Sequence, residues 1–403
     1  MKKIVEINVT HLYSTGRIMF QIAEAARKEG MSVTTFSKKT RTAKKEKIDN
    51  HYLVGSVIEN TLHRYFSWYT DFQDCGTYFG TRKLIRQLKK IQPDIIHLHD
   101  VVGWYINISL LFKYLKKANI PVVWTFHDCW AYTGRCIYYD YVKCEKWMNG
   151  CNGCIQLDGY PSTKLFDHAS WNYKRKKKLF TSLDNMTIVT PSEWLKKETK
   201  KSFLKKYPCI VINNGIDTSI FKPRKSNFRE QYGLEEKKIV LGVASNWGQI
   251  RKGYKYMLYL ADNLDEDYKV VIVGLDDNEV DCIPDNIVSI NKTSDDKKLA
   301  EIYSAADVFV NPTLEDNYPT TNMEAIACGT PIVTFETGGS VETVTEYSGM
   351  VVPQKDVEKL KNAVEYVAEN EEKYFQRCVE MGKTFDKKLR FKEYIDLFRK
   401  IGR

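Results

Sequence analysis

Apolar strand-like segments alternate with amphipathic helical segments along nearly the whole chain. Residues 2–9 are predicted to form a buried strand, and an amphipathic helix follows at about 18–28 and ends at Gly30. Further strands in this half are predicted at 33–36, 95–98, 122–126 and 187–189, with a helical segment near 105–118. This alternation is typical of α/β units with parallel sheets.

A second series of the same kind begins after the turn at 213–217. Its predicted strands are 239–243, 270–273, 287–290, 308–311 and 332–335. The turn and the nearby Pro223 make 206–223 the best candidate for an interdomain hinge. The final helical pattern, 386–400, could pack on either domain. Two α/β series predict two domains that bind ligands at the carboxyl ends of their strands.

Length and composition agree with two cytoplasmic domains. A chain of 403 residues exceeds the size at which one core keeps growing. No apolar run approaches the ~18 residues of a membrane-spanning helix, and the first residues do not resemble a signal peptide. The ten cysteines are therefore expected to be reduced.

The charge is unevenly distributed. Residues 1–208 carry 35 Lys and Arg against 18 Asp and Glu, whereas residues 209–403 carry 26 against 33. The excess of lysines in the first half has two interpretations. These lysines either lie on solvent-exposed helix faces, or they direct the first half toward an acidic surface or an anionic ligand. Nucleic acid is not expected as a partner, because the chain has no zinc-finger, helix-turn-helix or RNA-binding signature.

The segment 311–331 contains the densest candidate chemistry. A strand ends in a polar loop, and a helix is predicted from Thr320 to about Gly329. The carboxylates of Glu315, Asp316 and Glu324 can accept hydrogen bonds from sugar or ribose hydroxyls, while N–H groups at the helix start favour a phosphate. Taken alone, Glu315 or Glu324 could equally be a simple first-turn helix charge.

Asp316 and Glu324 have seven residues between them and precede Ala-Ile-Ala-Cys-Gly-Thr-Pro at 325–331. This resembles the signature of family 4 retaining glycosyltransferases, and Gly-Gly-Ser-Val-Glu at 338–342 matches a further family element. The resemblance extends over nearly the whole chain. It implies the GT-B fold, in which two α/β, Rossmann-like domains with parallel sheets face a central cleft. The expected divisions are an acceptor-binding domain at 1–207, a nucleotide-sugar-binding domain at 208–385, and a C-terminal helix at 386–403, for which packing back on the first domain is one alternative.

The resemblance also implies roles for individual residues. The first acid of the signature contacts hydroxyls of the donor sugar, and Glu324 binds the ribose. The family usually has Glu where this chain has Asp316, so Glu315 could share that role. The residues expected to bind the donor are Gly16, Glu315, Asn317, Tyr318, Pro319, Thr320 and Glu324.

Loss of a nucleoside diphosphate requires positive charge near the departing oxygen. Lys252 and Gly253 match the family's Lys-Gly element, whose lysine clamps the diphosphate. The arginine that the family usually has just after the preceding strand is missing, with Ala244 or Ser245 in its place. Arg251 either substitutes for that arginine or is a solvated turn residue.

Two positions in the first half are added by the resemblance. His127 directly follows the predicted strand 122–126 and is expected to contact the donor sugar. It could instead form a hydrogen bond within its own loop, with Asp128 as the partner. Gly16, in the loop 14–17, is expected to approach the donor phosphates, although an ordinary tight turn explains it equally well. His97 and His99 are predicted to be structural.

Four cysteines are clustered in one aromatic-rich segment: Cys136, Cys144, Cys151 and Cys154. Four thiolates so close in sequence suit a structural tetrahedral zinc. Reduced cysteines packed in a loop are the alternative. No cofactor or metal is expected for catalysis itself.

The prediction is therefore a retaining transferase that moves a sugar from a nucleotide diphosphate sugar to a saccharide or lipid-linked saccharide, in cell-surface polysaccharide biosynthesis. A nucleotide-sugar epimerase and a non-catalytic sugar-binding subunit are the alternatives. The segment 62–88 mixes Arg64, Arg82, Lys83 and Arg86 with aromatic residues, which suits an anionic membrane surface at the inner leaflet. Packing of these aromatics under a loop is the other interpretation.

Overall fold

The computed structural model describes residues 1–40, 48–275, 283–293 and 295–401, apart from the side chains of Tyr13 and Ser14. Contacts divide the chain into two compact units. The first is Met1–Asn213 together with the residues from Phe391 onward, and the second is Asn214–Arg390. Each unit is a parallel sheet with helices, as the alternating pattern predicts.

The first unit is built on a seven-stranded parallel sheet in the order β3-β2-β1-β4-β5-β6-β7. Its strands are β1 (Lys3–Ile7), β2 (Ser32–Lys38), β3 (His51–Val54), β4 (Ile95–Leu98), β5 (Val122–Thr125), β6 (Met186–Thr190) and β7 (Cys209–Val211). Its helices are α1 (Tyr13–Lys28), α2 (Val57–Thr70), α3 (Tyr78–Ile91), α4 (Ile108–Ala118), α5 (Ala169–Phe180) and α6 (Glu193–Lys201). The central strands are buried throughout, as expected when helices cover both faces, and they are accordingly composed mainly of apolar residues.

The second unit has a six-stranded parallel sheet in the order β10-β9-β8-β11-β12-β13. Its strands are β8 (Lys238–Val243), β9 (Tyr268–Leu275), β10 (Ile287–Asn291), β11 (Val308–Asn311), β12 (Ile332–Phe335) and β13 (Gly349–Val352). Its helices are α7 (Phe228–Tyr232), α8 (Tyr254–Asn263), α9 (Asp296–Ala305), α10 (Thr320–Ala327), α11 (Val357–Glu369) and α12 (Glu371–Gly382), and helix α13 (Lys387–Ile401) follows.

The strand order reverses once in each sheet, between β1 and β4 in the first and between β8 and β11 in the second. In doubly wound sheets, ligands bind outside the carboxyl ends of the strands at such a reversal. A ligand site is therefore expected among the residues that follow these four strands.

The unit boundary lies between residues 213 and 214, not between 207 and 208 as predicted. The physical reason is that β7 pairs with β6, with Cys209 opposite Ile188, so this stretch completes the first sheet. Helix α13 begins in the second unit, where Lys387 Nζ lies 2.6 Å from Asp217 Oδ2. From Phe391 onward it packs into the apolar core of the first unit. Among the helices described, none is long and apolar enough to cross a membrane.

Candidate functional site

The loops after β8 and β11 bring together four of the predicted residues in the second unit. Lys252 Nζ donates to Asp316 Oδ2 over 2.8 Å. Arg251 Nη1 donates to the carbonyl oxygen of Glu315 over 3.3 Å. Two cations and two acids that are distant in sequence therefore lie side by side at the strand reversal.

Backbone packing holds these two loops together. Gly253 has a positive φ of 76°, and a Cβ built there would lie 2.1 Å from the carbonyl oxygen of Pro312. The missing side chain allows the loop at 250–253 to approach the loop after β11. The Leu314 N–H then donates to the Arg251 carbonyl over 2.7 Å, and Thr313 Oγ1 donates to the same oxygen over 3.1 Å.

A buried polar network fixes helix α10 against the strands. Asn322, which is fully buried, accepts a hydrogen bond from Asn311 Nδ2 over 2.7 Å and donates to Thr343 Oγ1 over 2.8 Å. Thr337 Oγ1 donates to the Thr313 carbonyl over 3.0 Å. Because buried polar groups are costly to leave unpaired, such a network specifies one arrangement of the loop.

Asp316 is ionised in this arrangement. Burial by itself would raise its pKa, but the charges of Lys252 and Arg251 and hydrogen bonds from Lys252 and the Asn317 N–H lower the pKa below its usual value. The site therefore contains a carboxylate acceptor and a cation in direct contact.

Helix α10 begins at the end of the same loop. Its N-cap residue, Pro319, has no side-chain atom that can accept a hydrogen bond, and its first turn contains no acidic residue. The N-terminus of such a helix favours an anion, because its N–H groups and dipole point outward. One turn further, Glu324 Oε2 accepts a hydrogen bond from the Tyr303 hydroxyl over 3.3 Å. The predicted donor-binding residues from Glu315 to Glu324 thus form one continuous loop and helix.

Gly16 occupies a different position from the one predicted. Helix α1 begins at Tyr13 rather than near residue 18, so Gly16 lies in the first turn of the helix and not in a loop before it. A Cβ at Gly16 would lie 2.6 Å from the carbonyl carbon of His11. The glycine is thus required by close packing of the helix on the preceding turn, beside the strand reversal at β1.

His127 follows β5 and is held by a second histidine. Its Nε2 lies 3.0 Å from His99 Nδ1, and His99 Nε2 lies 2.9 Å from Glu6 Oε2. Burial and the neighbouring histidines lower the pKa of His127 well below its usual value, so the ring is neutral at pH 7. Sequence reasoning set His99 aside as structural and missed Glu6. An acid inside the apolar strand β1 was the available signal.

The cysteine cluster does not form a tetrahedral set of sulfurs. Among the described residues, the set of three or more potential metal ligands within 4.8 Å of one another is Glu6, His97 and His99, and the cysteines form no such set. Cys151 Sγ accepts a hydrogen bond from the Gly134 N–H over 3.1 Å, and burial raises the pKa of Cys151 to about 11. Zinc binding by Cys136, Cys144, Cys151 and Cys154 therefore stays a prediction, and it would require these side chains to converge.

Comparison with known families covers both halves of the chain. The family described as "Glycosyltransferase Family 4" matches residues 15–220, and "Glycosyl transferases group 1" matches residues 224–385. The chain belongs to glycosyltransferase family 4. The second match contains the whole loop and helix from Glu315 to Glu324.

Curated relatives of this family 4 protein are identical to it at about a quarter of the aligned positions. It is 25% identical over 282 residues to the putative colanic acid biosynthesis glycosyl transferase WcaC of Escherichia coli, covering 66% of each chain. It is 23% identical over 207 residues to the N,N'-diacetylbacillosaminyl-diphospho-undecaprenol alpha-1,3-N-acetylgalactosaminyltransferase of Campylobacter jejuni, covering 48% of this chain and 54% of that protein. The family 4 protein thus spans about two thirds or less of the length of these relatives.

Solved structures match over essentially the full length. Sucrose-phosphate synthase from Thermosynechococcus elongatus has a TM-score of 0.74 at 18% identity, covering 100% of this chain and 99% of that one. Anabaena HepE, solved in complex with UDP, has a TM-score of 0.70 at 14% identity, covering 99% and 100%. These similarities confirm the predicted GT-B fold of the family 4 protein.

Proposed function

We propose that this family 4 protein transfers a sugar from a nucleotide diphosphate sugar to a saccharide or lipid-linked saccharide, with retention of the anomeric configuration. The observation that carries the proposal is the contact between Lys252 and Asp316 beside the N-terminus of α10. One loop pair offers cations for a diphosphate, carboxylates for hydroxyls, and helix N–H groups for an anion.

Each part of the donor has a matching group in this arrangement. Lys252 and Arg251 supply positive charge where the departing diphosphate gains negative charge. Asp316 and Glu315 accept hydrogen bonds from the sugar hydroxyls, and Glu324 accepts them from the ribose. Because Lys252 is already paired with Asp316, donor binding requires the ammonium to be shared between the carboxylate and the diphosphate.

Retention requires no protein nucleophile in this proposal. The departing phosphate oxygen accepts the proton of the acceptor hydroxyl on the same face of the sugar, while the new bond forms to the anomeric carbon. Positioning of the two substrates and stabilisation of the leaving group then account for the rate. No metal is assigned a role in this step.

The names of the relatives support the donor and acceptor classes. HepE has been solved with UDP and with UDP-glucose. The Escherichia coli relative is named for colanic acid biosynthesis, and the name of the Campylobacter enzyme specifies a diphospho-undecaprenol acceptor. We therefore propose a role in cell-surface polysaccharide biosynthesis, with the protein acting at the cytoplasmic side.

The donor is tested by thermal stabilisation with UDP-, GDP- and ADP-sugars, because a ligand that binds the folded state raises apparent stability. We expect one nucleotide class to raise the melting temperature of the wild-type protein and to have a smaller effect on Glu324→Gln. Glu369→Gln, an exposed change on α11, is the matched control. No stabilisation by any donor would contradict the proposal.

The reaction is tested with the donor so identified and a panel of saccharide and lipid-linked acceptors. We expect acceptor-dependent release of nucleoside diphosphate, with the donor's anomeric configuration kept in the product. Isomerisation of the donor without an acceptor would instead show an epimerase. Donor binding with no turnover on any acceptor would favour a sugar-binding subunit.

We further propose that helix α2 and the start of α3 contact anionic lipid. The exposed face of α2 displays Ile58 and Leu62, which are 74% and 63% exposed, and Phe79 at the start of α3 is 76% exposed. Tyr65, Phe66, Tyr69 and Tyr78 are also exposed. Trp68 and Phe72, in contrast, are half-buried.

Cations lie beside these exposed rings: Arg64 lies over the ring of Tyr65, and Arg82 lies over the ring of Tyr78. Exposed aromatics beside cations suit the headgroup region of a membrane.

Vesicle sedimentation tests this surface. We expect binding to anionic vesicles that weakens with salt and with charge reversal at Arg82, Lys83 and Arg86. Charge reversal at Lys113, Lys116 and Lys117 on α4 makes the same change in net charge and serves as the control. Equal binding to neutral and anionic vesicles, or none, would favour a water-soluble acceptor.

A further inference from the structure

A continuous chain of polar side chains crosses the buried centre of the first sheet. Glu6 on β1 is the register partner of His97 on β4, and His99 lies two residues further on the same face. Glu6, His97 and His99 are essentially inaccessible to solvent. The chain ends at His127, whose ring is nearly parallel to that of His99, with an interplanar angle of 11°.

One oxygen of Glu6 determines the direction of the hydrogen bonds. Glu6 Oε2 lies 2.9 Å from His99 Nε2 and 3.1 Å from His97 Nδ1. This oxygen accepts a hydrogen bond from His99 Nε2. His97 Nδ1 is near it but makes no hydrogen bond with any described residue. Burial by itself would raise the pKa of Glu6, but its interactions with His97 and His99 lower it to about 2, so the carboxylate can only accept.

The donor and acceptor roles at Glu6 also determine those of His99 and His127. Burial lowers the pKa of His99 to about 4, so this ring is neutral and carries a single N–H. If that N–H donates from Nε2 to Glu6, then Nδ1 of His99 holds a lone pair. Nε2 of His127, 3.0 Å away, must therefore donate to it.

We infer that Glu6 and His99 are positioning residues that hold neutral His127 as the Nε2–H tautomer, which makes its Nδ1 a hydrogen-bond acceptor. Any partner of Nδ1 must then donate. A sugar hydroxyl can do so, whereas the oxygens of a diphosphate only accept. The assignment of a hydroxyl rests on the proposed function, but the tautomer does not.

A second branch leaves Glu6 without passing through His127. His97 Nε2 lies 2.8 Å from Thr125 Oγ1, which lies 3.1 Å from the hydroxyl of Tyr394 on α13. The rings of Tyr394 and Phe398 lie 5.5 and 5.4 Å from that of His97, so helix α13 covers the chain. Because this branch diverges at Glu6, removal of the Tyr394 hydroxyl leaves the path to His127 intact.

The test is ¹⁵N NMR of the full-length, ligand-free protein labelled at histidine, with His127→Gln used to assign the His127 signals. Proton-bearing and lone-pair ring nitrogens have well-separated ¹⁵N shifts. We expect the wild-type protein to show a protonated Nε2 and an unprotonated Nδ1 at His127. A protonated Nδ1, or a doubly protonated ring at pH 7.5, would overturn the inference without any mutant.

Two variants separate positioning from general packing. Glu6→Gln replaces a carboxylate that only accepts by an amide that also donates, so the chain can reverse and the second tautomer of His127 should appear. Tyr394→Phe should leave the His127 tautomer unchanged. Unchanged His127 signals in Glu6→Gln would contradict the role of Glu6.

The same spectra distinguish this chain from a metal site, since Glu6, His97 and His99 could also ligate a cation. We expect the ¹⁵N shifts of His99 to be identical before and after EDTA treatment. A change in these shifts would show that a bound metal, and not the hydrogen-bond chain, occupies this cluster. Donor binding and turnover are not used in these measurements, so a failed proposed function and a failed tautomer assignment give different results.

Discussion

At the scale of single residues, the contact between Lys252 and Asp316 is the feature with the most direct chemical consequence. Both side chains are largely buried, at 20% and 15% exposure, and the pair lies beside a helix N-terminus. A cation in this position can stabilise charge on a leaving group only if it is correctly oriented beforehand. Asp316 provides that orientation and stays ionised because of it.

We predict that Lys252→Ala lowers kcat by about 10²-fold or more, because leaving-group stabilisation is lost. Steady-state release of nucleoside diphosphate measures the effect. Lys255→Ala, an exposed lysine on α8, is the control and should leave turnover unchanged. If Lys252→Ala retained the wild-type turnover, Lys252 would have no role in leaving-group stabilisation and would serve only as the ion-pair partner of Asp316.

At the scale of elements, the approach of the 250–253 loop to the loop after β11 depends on one glycine. Gly253→Ala places a Cβ against the Pro312 carbonyl at a positive φ, so we predict a loss of about 1–3 kcal/mol or more in the free energy of unfolding. Gly233 has a similar φ of 64°, and apart from its chain neighbours no atom of the described residues lies within 4 Å of the place its Cβ would take, so Gly233→Ala isolates the backbone penalty. Urea unfolding of both variants measures the two losses in the free energy of unfolding. Equal losses would show that the loops move apart and relieve the overlap between the new Cβ and the Pro312 carbonyl.

The cysteine segment is a second element whose state can be measured. We predict zinc near one equivalent per chain in protein purified without chelator, bound by thiolates that converge on the metal. Elemental analysis settles the point, with a Cys151→Ser and Cys154→Ser double variant as the control. Transfer activity should survive EDTA under conditions that leave the fold intact, because no metal is assigned to the reaction. Metal-free protein would leave four reduced thiols packed in a loop.

The positions of buried central strands follow from the hydrophobic pattern of the sequence more closely than those of edge strands. Fully buried strands were predicted at their observed positions, as at 95–98, 308–311 and 332–335. The strands that sequence reasoning missed, β3, β7 and β13, lie at sheet edges. Edge strands pair on one side only, and these three are partly exposed, unlike the fully buried central strands. The start of α1 was missed because Ser14 and Gly16 suggested a loop.

At the scale of the whole molecule, the first unit holds several histidines in neutral form. Burial lowers the pKa of His51 and His99 to about 4 and that of His63 to about 3, from an ordinary value of 6.5. Below pH 6.5 the unfolded chain therefore binds protons that the folded unit does not. The contribution of these histidines to the free energy of unfolding therefore falls as the pH falls from 6.5 toward 4. Asp74, whose burial raises its pKa to about 6, opposes this, and burial likewise raises the pKa values of Asp71 and Asp100.

We predict that the urea midpoint of the first unit is lower at pH 5 than at pH 7.5. Tryptophan fluorescence follows this unit, because seven of the eight tryptophans lie within it. His63→Gln should reduce the pH dependence by removing one such group. A midpoint that rises as the pH is lowered from 7.5 to 5 would show that the buried aspartates Asp71, Asp74 and Asp100 outweigh the histidines.

By itself, the sequence determined the α/β class, the two series of units and the acidic loop and helix at 311–331. These features depend on local periodicity and on residues close together in the chain. Only the tertiary structure decided that Lys252 meets Asp316, 64 residues away, and that His99 meets Glu6, 93 residues away. It also decided where α13 leaves one unit and packs in the other. Alternation of strands and helices does not specify strand order or register, and those two properties bring distant side chains into contact.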